Sequence, residues 1–320
     1  MHFIGLMTEN NLSDKWFVVV NIYAASKKAG EKWEKAKKLL QKKGVAFDYS
    51  LSGAAGNVRT ITLEACNRGV RRFIAVGGDG TVHDVLNAIL LFSESNGVQF
   101  SDFTLGVIPM GSGNDWIKTL GISKNINKAV DVIVASKISR QDIVKVTCAD
   151  GVSYVANVAG VGIDARVCDI VNRKKKMGER GKILYVKALI MAIRSRKPSL
   201  IKVICDGRKV FEGDYLSIAF GVGKYSGGGM LQTPEAVLDD GLLDMTLIPD
   251  LPLSRIAVEV HKLFTGHFLT VPELVVAKSR CIEVIPSSPS GDLVEVDGEV
   301  VGRAPVRFDV LPGYINILVR

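Results

Sequence analysis

The stretch FIAVGGDGT, residues 73–81, decides how this chain folds. Phe73–Val76 is a short, continuous apolar run, the pattern of a strand buried on both faces. TVHDVLNAILLF, 81–92, reads as a helix that follows it. Between them Gly77, Gly78 and Gly80 bracket one acid, Asp79. Strand, glycine turn and helix form the repeating unit of a parallel sheet, where ligands bind beyond the carboxyl ends of the strands. Glycine lets the main chain approach a ligand closely, and a helix starting near Thr81 points free N–H groups at the same spot. Phosphate is the natural ligand there. A carboxylate repels phosphate, so Asp79 fits if a Mg²⁺ lies between them, directly or through water. The alternative is a tight turn whose Asp caps the helix. The loop is neither a Walker A loop, since no GKS or GKT follows, nor GxGxxG.

The same rhythm extends outward. Trp16–Val20 reads as a strand. KKAGEKWEKAKKLLQKKG, 27–44, reads as a helix with Trp33, Ala36, Leu39 and Leu40 on one face and Gly44 at its end. VAFDYSLS, 45–52, is a second strand, and 54–70 a second helix ending at Gly69. FTLGVIPMGSGND, 103–115, is a fourth strand with another glycine-and-acid loop, Gly111–Asp115. Two such loops at two strand ends of one sheet face one cleft. Alternating strands and helices predict a doubly wound, mostly parallel α/β sheet.

After about residue 142 the rhythm changes. IVKVTCADGVSYVANVAGVG, 143–162, and LIKVICDGRKVFEGDYLSIAFGVG, 200–223, read as hairpin strands, the second with Asp206-Gly207 as its turn. GLLDMTLIP, CIEVIPS, LVEVDGEVVG and VRFDVLPGYINILVR continue the pattern. Helical stretches interrupt it at Lys182–Arg194 and near Pro252–Leu269. A second, antiparallel strand-rich domain follows, a sandwich or barrel. NRKKKMGERGK, 172–182, reads as a charged loop, either a solvated connector or a contact for anionic headgroups.

Bulk composition bounds these readings. At 320 residues two domains are expected. The 41 Lys+Arg against 33 Asp+Glu, net +8, incline the surface toward anionic partners without choosing one, and no RNA- or DNA-binding motif appears. Five scattered cysteines (66, 148, 168, 205, 281) offer neither a CxxC pair nor an even count, which argues for a reducing, cytoplasmic setting. The first residues lack the features of a signal peptide. Ile183–Ile193 is too short for a bilayer, which takes about 20 apolar residues.

On these residues the sequence resembles the diacylglycerol kinase catalytic-domain family, whose core is shared with sphingosine and ceramide kinases. Besides GGDGT, PMGSGND (109–115) looks like its proline–glycine–asparagine–aspartate loop. NVAGVGIDARV (157–167) is similar to the glycine-rich opening of its second domain. TPEAVLDDGLLDMTLI (233–248) and VEVDGEVVG (294–302) resemble its aspartate–glycine–leucine and late DGE motifs. The resemblance implies an α/β nucleotide-binding domain over 14–142, to which 306–320 returns. It implies a β-sandwich lipid domain over 143–305, with Mg²⁺-ATP in the crevice between them.

It also implies roles. Asn21, Gly77, Gly78, Asp79, Gly80, Thr81 and Ser112 would contact the nucleotide, as would Ser50, with Ser52 as its alternative. The Ser-Gly that should follow Asn21 is displaced or absent around Ala25-Ser26. Asp79 and Asp115 would join a metal–water network. Asp240, with the main-chain carbonyls of Val237 and Leu242, would hold a partly structural Mg²⁺. Glu299 would be the general base. Asp297, two residues earlier, would share its strand face, so either carboxylate could serve with the other orienting it or the metal; in isolation Asp-Gly-Glu reads as a hairpin turn and Asp240-Gly241 as a plain β-turn. The implied activity is ATP-dependent phosphorylation of a lipid hydroxyl, diacylglycerol first, at a peripherally contacted membrane, by an enzyme that pairs as a homodimer. His83, beside the glycine loop, reads as a helix-surface or supporting residue. Two alternatives remain. One is NAD kinase, which shares GGDG but whose Asn-Glu pair this chain lacks; the other is a non-catalytic lipid- or nucleotide-binding regulator.

Overall fold

The computed structural model describes residues 15–23, 29–53, 57–179, 182–195, 199–288 and 291–320. The chain divides into two compact units. One runs up to Arg140 and takes in Ile315–Arg320; the other is Gln141–Tyr314.

The first unit alternates as its sequence predicts: β1 (Trp16–Val20), α1 (Ala29–Lys42), β2 (Phe47–Leu51), α2 (Val58–Asn67), β3 (Arg72–Gly77), α3 (Asp79–Asn96), β4 (Thr104–Pro109), α4 (Trp116–Thr119) and α5 (Ile126–Ala135). The strands lie parallel in the order β4–β3–β1–β2. Asn316 and Ile317 add a parallel edge beside Thr104 and Leu105. Every residue of β1 and β4 is buried, which is why these strands read as unbroken apolar runs rather than alternating ones. In α1, Ala29, Trp33, Ala36 and Leu40 are buried, one stripe at helical spacing. Gly44 follows with φ +72°, a left-handed position suited to glycine.

A helix start and a whole helix depart from the sequence reading. α3 begins at Asp79, not near Thr81, because Gly78 stays extended as its N-cap and Asp79 occupies the first turn, where a carboxylate is favoured. α5 was not expected. Asn125 starts it by accepting the N–H groups of Asn127 (2.9 Å) and Lys128 (3.4 Å) on its side chain.

The second unit contains β5 (Ile138–Cys148, entering from the first unit), β6 (Gly151–Val155), β7 (Val158–Gly162), α6 (Ile163–Lys176), α7 (Lys182–Arg194), β8 (Leu200–Cys205) and β9 (Arg208–Gly221). After them come β10 (Tyr225–Ser226), β11 (Met230–Leu231), β12 (Leu243–Pro249), α8 (Leu253–Glu259), α9 (Lys262–Thr265), β13 (Val275–Ser279), β14 (Cys281–Pro286), β15 (Leu293–Val296), β16 (Glu299–Arg303) and β17 (Val306–Leu318). Its pairings are antiparallel. One layer runs β16–β15–β7–β9–β12–β13, the other β9–β8–β14–β17. The 14-residue β9 belongs to both layers, pairing β8 through its first half and β7 and β12 through its second. The inward faces merge in one core. Ile218, Phe220, Met245 and Val296 meet Val203, Ile282, Val284 and Phe308 there. The rings of Phe220 and Phe308 stack at 4.2 Å between centroids.

Asp206 and Gly207 have φ of +46° and +79° and form the β8–β9 hairpin turn that the Asp-Gly pair predicts. The expected charged loop 172–182 is corrected: Asn172–Lys176 are the last turns of α6. Ile163, Val167, Ile170 and Val171 recur at helical spacing and pack on α7, so the basic run continues a helix whose apolar face lies N-terminal to it. Among the described residues no helix is long and apolar enough to cross a membrane.

Candidate active site

In the first unit the two glycine loops touch. A Cβ on Gly111 would lie 2.5 Å from the Cα of Gly78, and a Cβ on Gly77 would lie 2.2 Å from the Thr81 hydroxyl. Only glycine tolerates this approach. The Gly77 carbonyl accepts the N–H groups of Met110 (2.6 Å) and Gly111 (3.1 Å), joining the end of β3 to the loop after β4. Asn114, buried with φ +50°, stitches that loop by accepting from Gly111 N–H (3.1 Å) and donating to its carbonyl (2.6 Å). Lys124 Nζ donates to the carbonyls of Gly113 (2.8 Å) and Ser112 (3.3 Å).

Asp79 bridges the loops. Its Oδ1 accepts the N–H groups of Asp115 (2.7 Å) and Trp116 (3.4 Å), at the start of α4 rather than of its own helix. Burial, and then the Asp115 carboxylate, push its pKa above the ordinary aspartate range against these donors. Asp115 is itself buried and pairs with Lys118 at 2.5 Å.

Asn21 joins the same cluster. Its N–H donates to Val76 O (2.9 Å), its amide to Thr81 Oγ1 (3.1 Å), and its Oδ1 accepts from Tyr23 N–H (3.0 Å). The displaced Ser-Gly at Ala25-Ser26 lies outside the described residues. Ser50 is half-buried within β2, opposite Val19. Ser52 lies past the strand end, where its N–H donates to Val20 O (2.8 Å). Its buried hydroxyl has no hydrogen-bond partner among the described residues. Ser112 is exposed at the loop tip. His83 is not on a helix surface: it is buried between Arg59 (3.1 Å) and Asn87 (3.2 Å).

The second unit carries two acidic sites. At the first, Asp240 is exposed, and its Oδ1 accepts the Leu242 N–H (3.0 Å). Asp142, which the sequence reading missed, is fully buried beneath it. Its oxygens accept the N–H groups of Gly313 (2.5 Å) and Gly241 (2.6 Å), and its own N–H donates to Leu238 O (2.7 Å). Burial raises the pKa of Asp142 against those two bonds, and the Asp240 and Asp239 carboxylates add to the rise. A divalent cation would relieve that crowding. Among the described residues no three His, Cys, Asp or Glu side chains are grouped to hold a metal ion. A cation at Asp240 therefore depends on main-chain oxygens, such as those of Val237 and Leu242, and on water. That all-oxygen set fits Mg²⁺.

The second site is the β15–β16 hairpin. Asp297 (φ +50°) and Gly298 (φ +92°) form its turn, and Glu299 opens β16. The expectation that Asp297 and Glu299 share a strand face is therefore corrected, since strand alternation does not run through a turn. Asp297 accepts three main-chain N–H groups, from Ala156 (3.0 Å), Asn157 (3.0 Å) and Val158 (3.2 Å). Glu299 is exposed, and its Oε2 accepts from the Asn172 amide of α6 (3.3 Å).

Beneath the turn, Glu295 is buried and accepts the Gly298 N–H (2.8 Å). A Cβ on Gly160 would meet both Glu295 Oε1 and Asp164 Cβ at 2.9 Å. Burial drives the Glu295 pKa well above the ordinary value near 4.5, and the Asp164, Asp297 and Glu299 carboxylates add to this. A raised acid binds its proton more tightly in the folded chain. Its contribution to stability is full below about pH 4.5 and is lost as pH rises through the raised pKa. Glu295→Gln, a permanently neutral mimic, is expected to melt with a shallower decline above pH 4.5 than the parent. Thermal melts from pH 4 to 9 measure this, and parallel curves would remove the buried-acid account.

Both units are similar to known proteins. The diacylglycerol kinase catalytic domain family matches residues 15–146, and the YegS C-terminal NAD kinase beta sandwich-like domain matches 157–319. A probable lipid kinase YegS-like from Xanthomonas euvesicatoria is 27% identical over 282 residues, covering 87% of this chain and 88% of the relative. A diacylglycerol kinase of Mycobacterium tuberculosis is 25% identical over 281 residues, covering 87% and 86%. Among solved structures, a putative diacylglycerol kinase from Bacillus anthracis superposes with a TM-score of 0.75 at 21% identity, covering 96% of this chain and 97% of that one. An NAD kinase from Archaeoglobus fulgidus in complex with ATP superposes at 0.51 and 14% identity, covering 95% and 93%. At such identities the structural likeness is one of fold; the matched domains carry the assignment. The chain belongs to the diacylglycerol kinase catalytic-domain family of lipid kinases.

Proposed function

We propose that this lipid kinase uses Mg²⁺-ATP to phosphorylate the free hydroxyl of diacylglycerol, giving phosphatidic acid. The observation that carries the reading is the contact of the two glycine loops, Gly78 against Gly111, at the carboxyl ends of β3 and β4. Main-chain N–H groups and the start of α3 converge there, as a polyphosphate requires. Asp79 and Asp115 would join the accompanying metal through its water. Ser52 is the better nucleotide contact than Ser50, because it lies past the strand end and its buried hydroxyl has no hydrogen-bond partner among the described residues. Asp240, with the carbonyls of Val237 and Leu242, would hold a cation, and the buried Asp142 beneath the Gly241 N–H would support that turn. When bound, Mg²⁺ neutralises phosphate charge. Glu299 takes the proton of the attacking alcohol, while Asp297 fixes the turn that carries it. Diacylglycerol is chosen because a curated relative carries that activity in its name.

The acceptor lies in a bilayer, and the chain meets it from the surface. On α7, Val186, Ile190 and Met191 stand about half exposed on neighbouring turns. The end of α6 contributes Arg173, Lys174 and Lys175 nearby. An apolar face beside basic residues suits an anionic membrane. The test is a panel of lipid alcohols in vesicles with γ-labelled ATP. Turnover is expected on dioleoylglycerol, with more when the vesicles carry anionic lipid. Nucleotide binding without turnover on any lipid alcohol would favour a non-catalytic regulator and sink the reading.

A further inference from the structure

The hairpin turn that carries Glu299 is gripped from three sides. Asp297 takes the N–H groups of residues 156–158. Glu295 takes the Gly298 N–H at 2.8 Å. From α6, the Asn172 amide donates to the Gly298 carbonyl at 3.0 Å, and the same nitrogen reaches Glu299 Oε2 at 3.3 Å. Asn172 thus contacts both the peptide that sets the backbone of Glu299 and the carboxylate itself, from 127 residues away in the chain.

The chemical type of this contact matters. Asn172 offers Glu299 a neutral amide. An amide N–H donated to one carboxylate oxygen fixes the direction in which the other can face a substrate hydroxyl. Glutamate has three side-chain torsions, and an exposed one samples them freely unless something fixes the carboxylate. We propose that Asn172 is a positioning residue, holding the Glu299 carboxylate in its proton-accepting orientation through its amide, which ties Oε2 to the Gly298 carbonyl. The proposal rests on Glu299 being the general base.

The test uses the full chain, γ-labelled ATP and dioleoylglycerol vesicles. Asn172→Leu keeps the size and removes the donor. It is expected to lower kcat about tenfold while KM for ATP stays within about twofold. Asn172→Gln, which keeps the amide one methylene further out, is expected to recover part of the loss. In a Glu299→Gln background, Asn172→Leu is expected to cost nothing further, since the group it orients is gone. If Asn172→Leu melts early, Asn172→Ala, which removes the donor without adding bulk or charge, reads the same loss. Parent kcat in the donorless variants, or a full additional loss in the Glu299→Gln background, overturns the proposal. Parent turnover in Glu299→Gln alone would instead sink the base assignment, so the two failures are distinct.

Discussion

Glu299→Gln is expected to lose about 100- to 10,000-fold in turnover, the range that a general base supplies, while melting at the parent temperature. Its carboxylate is exposed, so the amide replaces it without burying an unmatched group. Asp297→Asn should behave in the opposite way. Its two oxygens accept three main-chain N–H groups, and an amide would turn a donor toward at least one of them. An unsatisfied, partly buried group of this kind costs about 1–3 kcal/mol of stability. The expected pattern is therefore a stable, inactive Glu299 variant and a destabilised Asp297 variant with measurable turnover per folded molecule. Thermal melts paired with single-turnover phosphorylation separate them. A stable Asp297→Asn that is inactive, beside an active Glu299→Gln, would exchange the two roles.

The Asp297 result also marks where sequence reasoning stopped short. The Asp-Gly pair at 206–207 was read as a turn because alternating strands flank it; the pair at 297–298 has the same flanks and the same positive φ angles. There the tripeptide Asp-Gly-Glu in isolation reads as a hairpin turn, as the structure shows, whereas a shared strand face for its two acids needs alternation to run on through that turn. Elsewhere the legible features were those with a repeat. β1 and β4 announce themselves as unbroken apolar runs, and α1 through Trp33, Ala36 and Leu40. α6 has such a repeat in Ile163, Val167, Ile170 and Val171, but the lysines and Gly178 beyond it drew the reading toward a loop. The glycine loops stand out through residue type alone. Asp142 could not: it is one acid in a β-strand, and its place follows from N–H groups 99 and 171 residues away. Asn172 and Glu295 are hidden for the same reason, since long-range hydrogen bonds leave no local pattern.

Gly111→Ala tests the other half of the reading, and its effect should fall on the nucleotide. The added methyl would sit 2.5 Å from the Gly78 Cα and 2.7 Å from Asn114 Oδ1. The first obstacle is backbone, and the second is an amide already bonded to both ends of Gly111, so no flexible side chain can swing aside. The loops must part, and their tie through the Gly77 carbonyl must stretch. Overpacking of this kind costs about 1–3 kcal/mol, which corresponds to about 5- to 150-fold weaker Mg²⁺-ATP binding if the strain falls on the phosphate cradle. Gly30→Ala is the control, because nothing lies within 4 Å of its Cβ position. Calorimetric titration of both variants gives the answer. Weakened binding in Gly111→Ala alone is expected. Parent affinity there would mean that the two loops meet for packing only, and that the triphosphate is held elsewhere.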